Sequence, residues 1–269
     1  MRAMRSPRVG RAAPLVLAAL LLAGPALPVA AAEILTGVTP VPPPELTLAL
    51  ATLLAESRSE APAARLPACQ YRDDPTRYGA VREWRRTLLD TNLRLTRSYE
   101  PWDLVSVSRA GLLGTGLVRK LIIADLTALA DAAREAGKPL AVRSAYRSYA
   151  TQEATFAMWA RRSGYEQALK FSARPGHSEH QLGTTIDFTT APGEPLSSTF
   201  GESPAGQWLA RNGWQYGFIM SYPEGQRRVS CYGYEPWHWR YVGRDLARQI
   251  SESGQVPRRF LWESSESLP

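Results

Sequence analysis

The sequence has only three histidines in 269 residues, and all of them fall in two short stretches rich in metal-ligand chemistry. The first stretch runs Arg174-Pro-Gly-His-Ser-Glu-His-Gln-Leu-Gly-Thr-Thr-Ile-Asp187 and the second Glu235-Pro-Trp-His-Trp-Arg-Tyr241. Two neutral imidazoles and one carboxylate form the protein ligand set of a catalytic zinc site whose fourth position stays open to water. His180, Asp187 and His238 supply such a set. Glu235, three residues before His238, adds a carboxylate able to serve as base toward that water. Histidines retained for packing have no reason to lie beside acidic residues in both stretches. These residues point to a zinc hydrolase.

The elements around them must bring distant positions to one point. Gly183 and the alternating Thr184–Thr189 segment argue against a continuous helix from His180 to Asp187. A loop turning at Gly183 into a strand is expected, with Ile186 and Phe188 anchored in the core and Asp187 on the polar side. In the second stretch, alternation buries Trp237, Trp239 and Tyr241 and presents His238. His177 is expected in a loop or outer role.

Elsewhere, Gly116–Ala136 reads as a helix stopped by Gly137, followed by a strand from Pro139. A second helix covers about Ala150–Arg162, and Ser203-Pro204 starts a third that Gly213 closes. Tyr216–Met220 and His238–Val242 read as strands. Helices early and strands late predict an α+β domain, with a small antiparallel sheet carrying the zinc site and helices packed around it.

Residues 1–32 have the layout of a secretory signal peptide: Arg2, Arg5, Arg8 and Arg11, an apolar run, then Ala30-Ala31-Ala32. The formal net charge of +7 includes those four arginines, leaving +3 for residues 33–269. No basic run with interleaved aromatics follows, so nucleic acid is not an expected partner. Nor does any later segment suit a membrane span. The expected organisation is a signal peptide at 1–32, a Pro/Ala-rich linker at 33–66 with a short helix at Leu46–Leu54, the zinc-hydrolase domain at 67–255 and a C-terminal tail at 256–269. The product is expected to be a monomer that is secreted or cell-wall associated. In an exported chain, the two cysteines Cys69 and Cys231 are expected to pair.

Ser178-x-His180-x-x-Gly183-x-x-x-Asp187 followed by Glu235-x-x-His238 resembles the signature of the LAS metallopeptidases. Within that group the chain is most similar to the VanY-type D-alanyl-D-alanine carboxypeptidases. It shares Tyr146-Arg147-Ser148-x-x-x-Gln152, Pro-Gly-x-Ser-Glu-His-Gln at 175–181, Tyr-Pro-Glu-Gly at 222–225 and Tyr-Glu-Pro-Trp-His-x-Arg-Tyr at 234–241. The likeness spans roughly residues 85–245 and departs at Thr184-Thr185, where the family often has small apolar residues. It implies that His180, Asp187 and His238 bind Zn2+ and that Glu235 is the catalytic base. It also implies that Arg147 lies near the scissile peptide or terminal carboxylate, and that Ser178 and Gln152 help hold the terminal residue. The implied substrate is a peptidoglycan stem peptide, losing its terminal D-Ala. An L,D-carboxypeptidase, a cross-link endopeptidase and a zinc-containing cell-wall binding module are the alternatives.

Overall fold

The computed structural model of the protein describes residues 65–76 and 83–266. The expected signal peptide, the short helix at Leu46–Leu54 and all but the last two residues of the expected linker lie outside them.

Nine short strands occur among the described residues. β1 (Asp74–Pro75) pairs with β2 (Leu93–Arg94), and β3 (Leu104–Ser106) pairs with β5 (Leu117–Arg119). The other five, β4 (Leu113–Gly114), β6 (Ala141–Ser144), β7 (Thr185–Thr189), β8 (Phe218–Met220) and β9 (His238–Tyr241), form one sheet in the order β4-β6-β7-β9-β8. This sheet is antiparallel except at its edge, where β4 runs parallel to β6. The expected small antiparallel sheet is present, with one parallel edge added.

Side-chain alternation divides the two faces of β7 and β9. Ile186, Phe188, Trp239 and Tyr241 enter one hydrophobic cluster with Leu126 and Leu129 of the helix Ile123–Glu135. Fully burying side chains of this size contributes roughly 1.5–3 kcal/mol each. The opposite face carries Asp187 in register with His238, and Thr185 in register with Arg240. The packed face therefore sets the register that brings Asp187 and His238 together, because a one-residue slip would reverse both faces. All five residues of β7 are buried, Asp187 among them.

The helix expected over Gly116–Ala136 begins only at Ile123. Its first residues instead form β5 and a 3-10 turn at Lys120–Ile122. Gly116 explains the difference: its φ of 146° suits an extended glycine, and a Cβ there would come within 2.7 Å of Ala145 Cβ. Leu117 and Leu121, apolar residues at helical spacing, are exposed. The second helix runs Tyr149–Ser163, with Ser148 Oγ accepting from the Thr151 amide. The third runs Pro204–Asn212, with Ser203 as its N-cap. The strand expected over Tyr216–Met220 is shortened, since Gly213–Tyr216 forms a 3-10 turn.

The segment expected as a tail carries the helix Pro257–Glu266, whose Leu261 and Trp262 are buried against Ile250, Ala247 and Leu88. Arg258 donates to Asp90 at 2.6 Å, to Val229 O and to Pro67 O, joining this helix to three other segments. The packed body thus reaches beyond residue 255.

Cys69 and Cys231 form the expected disulfide, with Cα atoms 5.3 Å apart and a sequence separation of 162. Closing so long a loop contributes up to about 5 kcal/mol in the chain-entropy model. Cys69→Ser/Cys231→Ser is therefore expected to lower the urea midpoint, by several kcal/mol in unfolding free energy. An unchanged midpoint would show that the bridge does not constrain the unfolded chain.

Candidate metal centre

Three elements supply the centre. Gly183, in the left-handed region at φ 73°, ends the 3-10 turn Glu179–Leu182 and sends the chain into β7. That turn places His180 over the sheet, while β7 and β9 deliver Asp187 and His238. One ligand atom from each of His180, Asp187 and His238 can be chosen so that all three lie within 4.8 Å of one another, and all three residues are buried. His180 Nε2 is 3.2 Å from Asp187 Oδ2, and His238 Nδ1 is 3.3 Å from Asp187 Oδ1.

The nitrogens on the far side of both rings are held. His180 Nδ1 lies 2.6 Å from the Ala145 carbonyl, which can only accept, so the proton sits on Nδ1 and the Nε2 lone pair faces the centre. His238 Nε2 lies 3.0 Å from Glu179 Oε2, which fixes the complementary tautomer and turns Nδ1 inward. Ligand histidines are oriented by such contacts from behind.

Glu179 was not singled out from the sequence. It is buried, accepts from Ser221 Oγ at 2.6 Å, and takes a 2.9 Å charge-assisted hydrogen bond from Arg240. Burial pushes its pKa up, but Arg240, His238 and Ser221 outweigh this and hold it at about 2. Arg240 is wholly buried and also donates to the carbonyls of Trp84 and Arg85. The only sequence signal was an acidic residue next to His180 and an arginine two positions beyond His238.

Glu235 stands at the edge of the cluster, with Oε2 3.6 Å from His238 Nδ1. Burial pushes its pKa up to about 7, helped by Asp187 and opposed by His238 and Arg147. A carboxylate in that range can both accept and return a proton near neutrality. The centre opens into a cleft of ≈ 440 Å³ lined also by Arg147, Gln152 and Ser178. Arg147 Nε and Gln152 Oε1 are buried without hydrogen-bond partners among the described residues, while Gln152 Nε2 donates to Ala173 O. All seven site residues named from the sequence therefore line one cleft.

His177 lies apart from it, fully buried between the Asp90 carbonyl at 2.8 Å and Asp73 Oδ1 at 3.0 Å. Its neighbour Arg174 also contacts Asp73 and Thr91 O, so this histidine belongs to the packing beneath the motif.

The donor set suits a small cation. Asp187 Oδ1 is buried with no hydrogen-bond partner among the described residues. Two imidazoles and a carboxylate at this spacing match a zinc ligand set with a position left for water.

Residues 116–244 match the VanY family model, described as D-alanyl-D-alanine carboxypeptidase. Among curated proteins, YodJ of Bacillus subtilis is 36% identical over 171 residues, covering 62% of this chain and 63% of that protein. A D-alanyl-D-alanine carboxypeptidase of Enterococcus faecium is 32% identical over 131 residues, covering 49% of this chain and 39% of its own length. The chain thus spans less than two thirds of either relative. Among solved structures, the LdcB LD-carboxypeptidase superposes with a TM-score of 0.62 at 28% identity, covering 72% of this chain and 98% of that one. The vancomycin-resistance D,D-pentapeptidase VanY, a glutamate-to-alanine variant in complex with Zn(II), gives 0.57 at 28% identity over 66% of this chain and 99% of its own.

Proposed function

Because the chain belongs to the VanY family of D-alanyl-D-alanine carboxypeptidases, we propose that it is an exported zinc carboxypeptidase removing the terminal D-Ala from peptidoglycan stem peptides. One observation carries the reading. His180, Asp187 and His238 converge with both outer imidazole nitrogens held, and Glu235 lies half-buried beside them in a cleft.

His180, Asp187 and His238 hold the zinc ion, as the donor set and its spacing support. When bound, zinc acidifies a water and polarises the peptide carbonyl. Glu235 takes the proton of the attacking water and delivers it to the leaving amine. Arg147, always charged and forked, pairs with the terminal carboxylate or the developing oxyanion. Gln152 Oε1 and Ser178 Oγ hydrogen-bond the terminal residue. An extracytoplasmic location follows from that substrate, and agrees with the signal-like segment at 1–32.

L,D-carboxypeptidase activity is the second reading, favoured by the superposition on the LdcB enzyme. Mass spectrometry of a pentapeptide ending in D-Ala-D-Ala, a tetrapeptide and a cross-linked dimer separates these readings. Loss of one alanine from the pentapeptide is expected. Cleavage of the tetrapeptide alone would move the assignment to L,D, and cleavage of the dimer alone to an endopeptidase.

The acid limb of kcat/KM gives a further check. Glu235 works deprotonated, and a bound cation lowers a nearby carboxylate's pKa. The rate is therefore expected to fall with acidification at a pH between the ordinary 4.5 and about 7. A profile that stays level down to pH ~4, below the ordinary carboxylate value, would remove Glu235 from the base role.

A further inference from the structure

The cleft continues outward from the metal centre along the helix Tyr149–Ser163. Gln152, Thr155 and Trp159 line it from positions spaced by three and four residues, so they share one helix face. Seven residues at 1.5 Å rise place Trp159 about 10 Å beyond Gln152. Lys170 and Phe171, from the segment after the helix Tyr165–Ala168, line the same outer part.

Trp159 is braced for contact. It packs against Phe156, Ala168 and Leu169, and meets the Phe171 ring edge-to-face with centroids 5.2 Å apart. Phe171 is nonetheless 45% exposed, and Leu196, which also lines the cleft, is 38% exposed. Large apolar side chains left in water around a concavity mark a contact surface.

Among the described residues lining this outer part, the charged side chain is Lys170. Lys170 is exposed and pairs with no carboxylate among the described residues. Arg162 lies over the Trp159 ring at 5.7 Å. Among the described residues, the carboxylates lining the cleft are Asp187 and Glu235, which stand at the metal centre.

Taking the peptidase reading as its basis, we propose that Lys170, Trp159 and Phe171 form a specificity subsite for a substrate residue with a free side-chain carboxylate. That residue is the third of a stem pentapeptide, two before the terminal residue. Extended peptide advances about 3.3 Å per residue. A long side chain from this position therefore spans the remaining distance, laying its methylenes on the rings and its carboxylate on Lys170. A diamino-dicarboxylic residue has this chemistry. Its amidated form lacks the charge, and lysine in its place would bring a like charge to Lys170.

Two pentapeptides differing only in a free or amidated carboxylate on the third residue test the subsite. Turnover is measured on the zinc-loaded enzyme, and Kd by calorimetry on its zinc-loaded Glu235→Gln variant. Each is repeated with Lys170→Gln, a change at an exposed side chain. The free carboxylate is expected to be preferred about fivefold, the size of an ion pair at the strong end of the exposed range. The preference should appear in KM and Kd rather than kcat, shrink in 1 M salt as screening shortens to about 3 Å, and vanish in Lys170→Gln. Equal affinity for the two peptides, including no measurable binding of either, overturns the proposal. So does a preference that survives Lys170→Gln. Preferential binding without cleavage would retain the subsite and sink the peptidase reading. Cleavage without preference does the reverse.

Discussion

Glu235→Gln is expected to lower kcat by about 10²- to 10⁴-fold, the contribution of a positioned general base, while zinc content stays unchanged. Glutamine keeps the shape and one carbonyl oxygen but cannot accept and return a proton. The side chain lies against the cluster, 3.6 Å from His238 Nδ1, without being one of its three converging ligands. Its removal therefore separates chemistry from metal binding. His180→Ala and His238→Ala should differ in kind, losing zinc along with activity. The pair of measurements is zinc per chain by plasma emission spectrometry and kcat on the stem pentapeptide. An active Glu235→Gln enzyme would falsify the base assignment. Loss of zinc in the same variant would instead make Glu235 a ligand and require another group to take the proton.

The difference between what was legible in the sequence and what was not follows from how locally each feature is encoded. His180, Asp187, His238 and Glu235 stood out because few side chains can bind a metal or move a proton, and their clustering survives without coordinates. The helix Tyr149–Ser163 was legible because its ends are written locally, by Ser148 as the cap and Gly164 as the stop. The start of the helix at Ile123 was not. The apolar spacing at 117 and 121 imitates a helical stripe, whereas Gly116 and the pairing of β5 with β3 impose extended backbone. The helix Pro257–Glu266 was also missed as part of the packed body. Its attachment through Arg258 depends on Asp90, 168 residues earlier, and no local pattern reports such a pair. Glu179 and Arg240 show the same limit within the site. Each reads as an ordinary charged residue until β9 and the 3-10 turn bring them together across 61 residues.

That buried pair leads to the second large effect. Arg240→Leu is expected to destabilise the fold by about 3–5 kcal/mol, the usual cost of leaving one buried charge without its partner. Glu179 would then stand ionised beside His238 with only Ser221 and the imidazole to offset its desolvation. Glu179→Gln should act differently. It keeps a group able to accept from His238 Nε2, yet weakens the contact that orients the ring, so zinc affinity should fall about 10- to 100-fold. The rate at saturating zinc should largely recover, because neither Glu235 nor the three ligands are altered. In the double variant the two losses in stability should sum to less than their separate values, since removing both members leaves no orphaned charge. Urea midpoints for the four proteins of this cycle, with competitive zinc titrations of each, measure both quantities. Strict additivity in stability would mean that Arg240 supports the Trp84 and Arg85 carbonyls rather than Glu179. Unchanged zinc affinity in Glu179→Gln would mean that His238 is held by its strand alone.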